Sequence, residues 1–358
     1  MDDIVKRAER LAALEERAKS GILMLDGAMG TEIQKHKLTE ADYRGERFAD
    51  WQSPVAGNND LLNLTQPNII KGIHTAYFES GSDIVETNTF CATAIAQADY
   101  EMEGLATEIA EEGARIARAA AEAVESVTGD PKAVCGAIGP TNRTLSLSPK
   151  VEDPGYRAVT FDEVRDAYAE QVAAMAPYVD FFLVETIFDT LNAKAAIKAI
   201  MDLRSTGATA EIPIMLSGTI SDASGRTLSG QTTEAFYNSL RHAKPWAIGL
   251  NCAMGAAELR PYVQEMHRVA ECKVLAYPNA GLPNAFGEYD ERPEETAAFL
   301  GEWAHQGYVN ILGGCCGTTP DHIRAIAEKA KTAAPREVGK PSDVLRLSGL
   351  EPFELRGQ

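Results

Sequence analysis

Three cysteines stand where a metal ion could use them. Cys315 and Cys316 are adjacent and framed by Gly313, Gly314 and Gly317, and Cys252 follows Asn251 upstream. Neighbouring cysteines are too close for a relaxed disulfide with each other, and glycines permit a turn that aims both sulfurs at one point. Three thiolates with a fourth position left open make the donor set of a catalytic zinc. The same residues have an ordinary reading as well, because free cysteine is among the most buried side chains. Spacing alone does not separate the two. A second set is acidic: Asp26 and Glu185 each follow an apolar run. Two carboxylates so placed suit the ammonium group of a small substrate, unless Asp26 caps a helix and Glu185 pairs with a local base. Beyond Asp26, the backbone N–H groups of the Gly27-Ala28 turn suit a carboxylate. An amino acid carrying a thiol would satisfy all three features. His36, His74, His242, His305 and His322 fall on helices or loops and form no ligand pattern, and Cys135 and Cys272 read as structural.

These residues need a frame that gathers them. Short apolar runs alternate with helical stretches, giving expected strands at 22–25, 83–86, 133–138, 181–185, 214–217, 247–250, 274–277 and 310–312. Runs of Val, Ile, Leu and Phe without strict alternation suit parallel strands buried on both faces. Eight such units predict an α/β fold of the (β/α)₈ TIM-barrel type rather than a doubly wound sheet. The turn Asp26-Gly-Ala-Met-Gly30 also lacks the spacing of a dinucleotide-binding fingerprint. Cys91, Cys252, Cys315 and Cys316 all sit at or just past strand ends, where such barrels build their sites. Long loops at 35–66 and 139–160 would lie over the mouth. The barrel is expected to occupy residues 1–335 as one domain, with an amphipathic N-terminal helix and a linker-like tail at 336–358.

Composition narrows the partners. The 358 residues carry 34 basic and 52 acidic side chains, a net charge of −18. Such a surface disfavours nucleic acid and anionic lipid. The charged N-terminus lacks the apolar core of a signal peptide, no run is long enough to span a bilayer, and six cysteines are too few for a disulfide scaffold. A reducing, cytoplasmic setting is expected.

At this point the strings themselves are recognisable. Leu25-Asp-Gly-Ala-Met-Gly-Thr31, Glu86-Thr-Asn-Thr-Phe90, Gly139-Pro-Thr-Asn-Arg-Thr144 and Gly249-Leu-Asn-Cys252 resemble the homocysteine-binding module of the cobalamin-dependent methionine synthases. So do Ser217-Gly-Thr-Ile220, Ser224-Gly-Arg-Thr-Leu-Ser-Gly-Gln231, Pro278-Asn-Ala-Gly-Leu-Pro283 and Gly313-Gly-Cys-Cys-Gly-Thr318. The resemblance covers nearly the whole chain from about residue 20. It implies a zinc held by Cys252, Cys315 and Cys316, with the homocysteine thiolate in the fourth position. It also implies an amino group held by Asp26 and Glu185, and a carboxylate held at Gly27, Ala28 and around Thr87, with Asn251 among the substrate contacts. The methyl donor would be methylcobalamin. Cys91 departs from the family's Asn and is read as a ligand that fills the open zinc position at rest. Arg346-Leu-Ser-Gly-Leu-Glu-Pro352 resembles the start of the linker to a folate-binding module. The expectation is a split synthase, with its cobalamin- and folate-binding modules on separate polypeptides. The alternatives are direct transfer from betaine or a sulfonium donor, which would call for an aromatic cage, and a non-catalytic zinc or redox module.

Overall fold

The computed structural model describes residues 2–207, 209 and 212–355. All eight expected strands form: β1 (Leu23–Met24), β2 (Ile84–Glu86), β3 (Ala133–Ile138), β4 (Phe181–Ile187), β5 (Ile214–Gly218), β6 (Ala247–Gly255), β7 (Lys273–Asn279) and β8 (Ile311–Leu312). They are parallel and pair in the order β1-β8-β7-β6-β5-β4-β3-β2. Helices follow each strand and pack outside, as in Ala106–Thr128 after β2 and Pro293–His305 after β7. This is a (β/α)₈ barrel.

Between β1 and β2 no ladder forms among the described residues, and side chains bridge the seam. The Asp83 N–H donates to the Met24 carbonyl at 2.7 Å, and the Met24 N–H donates to Asp83 Oδ2 at 2.8 Å. Higher up, the Glu86 N–H donates to Asp26 Oδ2 at 3.0 Å. Buried backbone groups need partners, so two carboxylates stand in for missing ladder bonds.

Side chains alternate between the two faces of a strand. Leu23, Leu25, Ile84, Cys135, Phe181, Leu183, Ala247, Leu275 and Ile311 therefore fill the barrel interior, while Met24, Val85, Val134, Phe182 and Leu312 face the helices. Continuing the inward register upward brings Glu86, Glu185, Asn251, Tyr277 and Cys315 to the top of that interior. Leu14 and Ala18 of the N-terminal helix (Asp2–Ala18) close the lower end. That helix is pinned by Arg7, which donates to the Val179 and Ala176 carbonyls, and by Arg10, which pairs with buried Asp180 at 2.8 Å.

The tail differs from the expected linker. Arg336 is buried and donates to the carbonyls of His267, Ala270 and Cys272. Beyond it, β9 (Leu345–Ser348) and β10 (Pro352–Leu355) form an antiparallel hairpin on helix Thr233–Leu240. Its polar face is turned inward, with Arg346 paired to Glu271, and Leu345, Leu347, Phe353 and Leu355 face outward. Among the described residues no helix is long and apolar enough to cross a membrane.

One core residue has a pH consequence. His74, on helix Pro67–Glu79, is fully buried with neither ring nitrogen hydrogen-bonded, and burial holds its pKa down to about 3. The folded value lies below the unfolded value of about 6.5, so the unfolded chain takes up this proton first as pH falls. Stability from this group is complete above pH ~6.5 and declines by about 1.4 kcal/mol per pH unit below it, down to about pH 3. In urea titrations at pH 7 and pH 5, His74→Leu is expected to lose about 2 kcal/mol less than wild type on acidification. Equal losses in the two proteins would refute this.

Candidate active site

The sulfurs of Cys252, Cys315 and Cys316 lie within 4.8 Å of one another, the one such ligand group among the described residues. Two bulges and one turn put them there. In β6 the register against β7 shifts between Asn251 and Gly255, and Cys252 and Ala253 take φ of 58° and 57°. Left-handed backbone is costly for side chains with a Cβ, and here it swings the Cys252 sulfur toward β8. The turn after β8 is compressed: a Cβ at Gly314 would meet the Thr318 side chain at 2.1 Å, while Gly317 has φ of 81°. Glycine is thus needed at one position for close approach and at the other for handedness.

Asn251 links these parts. It is fully buried, below the cavity wall. Its Oδ1 accepts from the Thr186 N–H and the Ser217 hydroxyl, and its Nδ2 donates to the Thr186 hydroxyl and, at 4.0 Å, to the Cys315 sulfur. Thr186 itself has φ of 51°, beside a second register shift in β4. The sequence suggested a substrate contact at Asn251; the structure places it where it positions Cys315 and the Glu185 strand end.

The cluster opens into a cavity of about 1090 Å³ at the C-terminal mouth, lined by Asp26, Glu86, Cys91, Glu185 and Tyr289 among others. Asp26 and Glu185 are almost wholly buried. Asp26 Oδ1 has no hydrogen-bond partner. Burial raises the Asp26 pKa, against the Glu86 N–H bond and with the help of Glu185. Glu185 is pushed up to about 7 by burial, offset by hydrogen bonds with Glu86 and Tyr277. Glu86 is raised by burial and then by the Glu185 and Asp26 charges. Three carboxyls without a cation want one from a ligand. Glu86 was missed as a site residue, although its Ile84 register points it inward.

The other expected contacts divide. The Ala28 N–H already donates to the Thr318 carbonyl at 3.0 Å, whereas no acceptor for the Gly27 N–H is found among the described residues. Thr87 lines the cavity, but its N–H donates to Cys135 and its hydroxyl is engaged by Thr89 and the Ala137 N–H. Cys91 shares the cavity but not the sulfur cluster; its N–H donates to Asp60, and burial with the Asp60 charge pushes its thiol up to about 12. Trp51 packs on Phe48 and donates to the Tyr100 carbonyl, outside the lining. His322 lines the mouth, but both ring nitrogens are engaged, by Thr319 and by the Glu291 carbonyl.

A metal fits the sulfurs. Two thiolates on a tetrahedral zinc, with bonds of about 2.3 Å, lie ~3.8 Å apart, and the Cys252 and Cys316 sulfurs are 3.9 Å apart. The homocysteine S-methyltransferase family pattern matches residues 23–330. The chain belongs to that family. Among solved structures it is similar to the Escherichia coli homocysteine methyltransferase MmuM. The metallated form is 23% identical with a TM-score of 0.68, and the match covers 89% of this chain and 99% of that one. The oxidized and apo forms, each 22% identical with the same coverage, give TM-scores of 0.68 and 0.63. At this identity the likeness bears on the fold, and the family match bears on the reaction: methyl transfer to homocysteine.

Proposed function

We propose that the chain methylates homocysteine to methionine, with zinc held by Cys252, Cys315 and Cys316 and the methyl group delivered by methylcobalamin on a separate protein. The observation that carries this reading is the unpartnered Asp26 carboxylate sharing one cavity with the three clustered sulfurs. Zinc, when bound, keeps a coordinated thiol deprotonated at neutral pH. Asp26 and Glu185 take the substrate ammonium, and Glu86 gives up its shared proton arrangement with Glu185 as that cation arrives. The Gly27 N–H is placed for the carboxylate. With both ends of the amino acid fixed, the substrate sulfur faces the open mouth. There the sulfur–carbon bond forms as the bond from methyl to donor breaks, and that bond's electron pair leaves with the donor.

A macromolecular donor is supported by the rim, where Leu147, Val151, Leu228, Leu282 and Phe286 are exposed on the loops after β3, β5 and β7. Such a patch marks an interaction surface. In this reading the partners are separate cobalamin- and folate-binding modules, and the reducing cytoplasm keeps all six free cysteines as thiols. A second reading has its own observation. Phe90, Tyr100, Phe188 and Tyr289 line the cavity, and aromatic faces with nearby carboxylates suit a betaine or sulfonium donor.

The test offers zinc-loaded protein and homocysteine three donors in parallel: methylcobalamin, glycine betaine and a methylsulfonium compound. Methionine from methylcobalamin is expected. Methionine from betaine or the sulfonium compound alone would replace the donor. No product and no calorimetric heat with homocysteine would leave a non-catalytic zinc module.

A further inference from the structure

A thiolate methyltransferase built on cysteines faces a problem of selectivity, because its own sulfurs are nucleophiles beside the same methyl group. In this chain each of the three sulfurs has a hydrogen-bond donor besides its neighbouring cysteines. The Ala253 N–H donates to Cys252, Asn251 Nδ2 to Cys315 at 4.0 Å, and the Tyr289 hydroxyl to Cys316, together with Cys316's own N–H. Bulge, buried asparagine and loop tyrosine come from separate parts of the chain, yet each places a donor on a different sulfur.

We infer that these donors direct methylation away from the protein's own sulfurs, and that Tyr289 is the positioning residue that protects Cys316. A hydrogen bond to a thiolate withdraws the lone-pair density that would attack the methyl carbon. The side chains waiting for the substrate are of the opposite kind. Asp26 and Glu185 accept hydrogen bonds when ionised and donate none, so the incoming sulfur keeps its nucleophilicity. Tyr289 is suited to the task by its loop. It forms a β-bridge with Pro283, in a turn where Asn284 accepts from the Phe286 and Glu288 N–H groups. Its Cβ lies where a Cβ on Gly317 would be 2.3 Å away, so the ring lies directly against the Cys315-Cys316 turn. The inference rests on the zinc-thiolate reading above for its role in turnover, while the Tyr289–Cys316 bond is present without metal.

The test uses the full chain, wild type and Tyr289→Phe, with iodomethane and no homocysteine. A cysteine sulfur attacks the methyl carbon, the carbon–iodine bond breaks, and iodide leaves with the pair. Peptide mass spectrometry then reads the rate at each cysteine, and zinc content is measured on the same samples. Removing one hydrogen bond worth about 1.4 kcal/mol should raise Cys316 methylation about tenfold, with Cys252 and Cys315 unchanged. An unchanged Cys316 rate overturns the inference, and so does an equal rise at all three cysteines, which would mean that the site had only opened. Wild type that binds no zinc would refute the functional reading instead, and the Cys316 comparison is then scored on the metal-free proteins. Asn251→Ser, which shortens the donor on Cys315, should shift reactivity to that sulfur alone; a rise at Cys316 there would also count against assignment of one donor to one sulfur.

Discussion

Cys316→Ala is expected to abolish zinc binding and lower methyl transfer by ~10³-fold or more while the barrel stays folded. Two sulfurs cannot hold the ion in competition with water, and without it most of the homocysteine thiol stays protonated at neutral pH. Cys316 is the right member of the set to remove. Its side chain is half-exposed in the cavity wall, whereas Cys315 packs against the barrel's inner cluster and Cys252 occupies a left-handed bulge residue. The loss is therefore chemical and not a cavity in the core. Metal analysis, far-UV circular dichroism and methionine formation would be measured together. Full zinc retention with native dichroism would remove Cys316 from the ligand set.

Asp26→Asn should weaken homocysteine binding by about 100-fold, the loss of a charge-assisted bond worth roughly 2–3 kcal/mol, with zinc content unchanged. The wild-type carboxylate is buried with Oδ1 unsatisfied, a cost that a substrate ammonium would remove. The amide is nearly isosteric and keeps an oxygen for the Glu86 N–H that helps close the β1–β2 seam, so the fold should survive. Calorimetry with homocysteine and with a thiol lacking the amino group separates the causes. The variant and wild type should bind the amine-free thiol alike; a 100-fold gap there too would assign Asp26 to structure.

Much of the architecture was legible because its signal is local. Each strand is a short apolar run whose inward and outward residues follow from period two, and all eight were placed within a few residues. The gathering of polar residues at strand ends then follows from barrel geometry. What escaped was orientation past the last ladder bond. Asn251 follows Leu250 and looks like a rim residue, but the bulge that turns Cys252 outward leaves Asn251 in the inward register, beneath the cavity. Glu86 points inward by the same rule, yet its tie to Glu185 needs β2 and β4 brought together across the barrel. The hairpin at 345–355 was read as linker because its apolar side faces away from the barrel. No window of sequence states which face a neighbouring helix will cover.

The barrel's seams also dictate an order of events during synthesis. The N-terminal helix donates to carbonyls at 176 and 179, and Glu15 accepts from Trp246 and Lys273. Strand β1 pairs with β8, joining Leu23 to Ile311. The first segment made by the ribosome therefore waits for almost the last before it finds its partners. At roughly 5–20 residues per second that wait is on the order of 15–60 s, with the lower end of the barrel unplugged and the β1 edge unpaired throughout. Contacts so distant in sequence slow folding. A chaperone that shields residues 2–25 until β8 emerges would raise the yield of folded protein far more than one that acts on the finished chain.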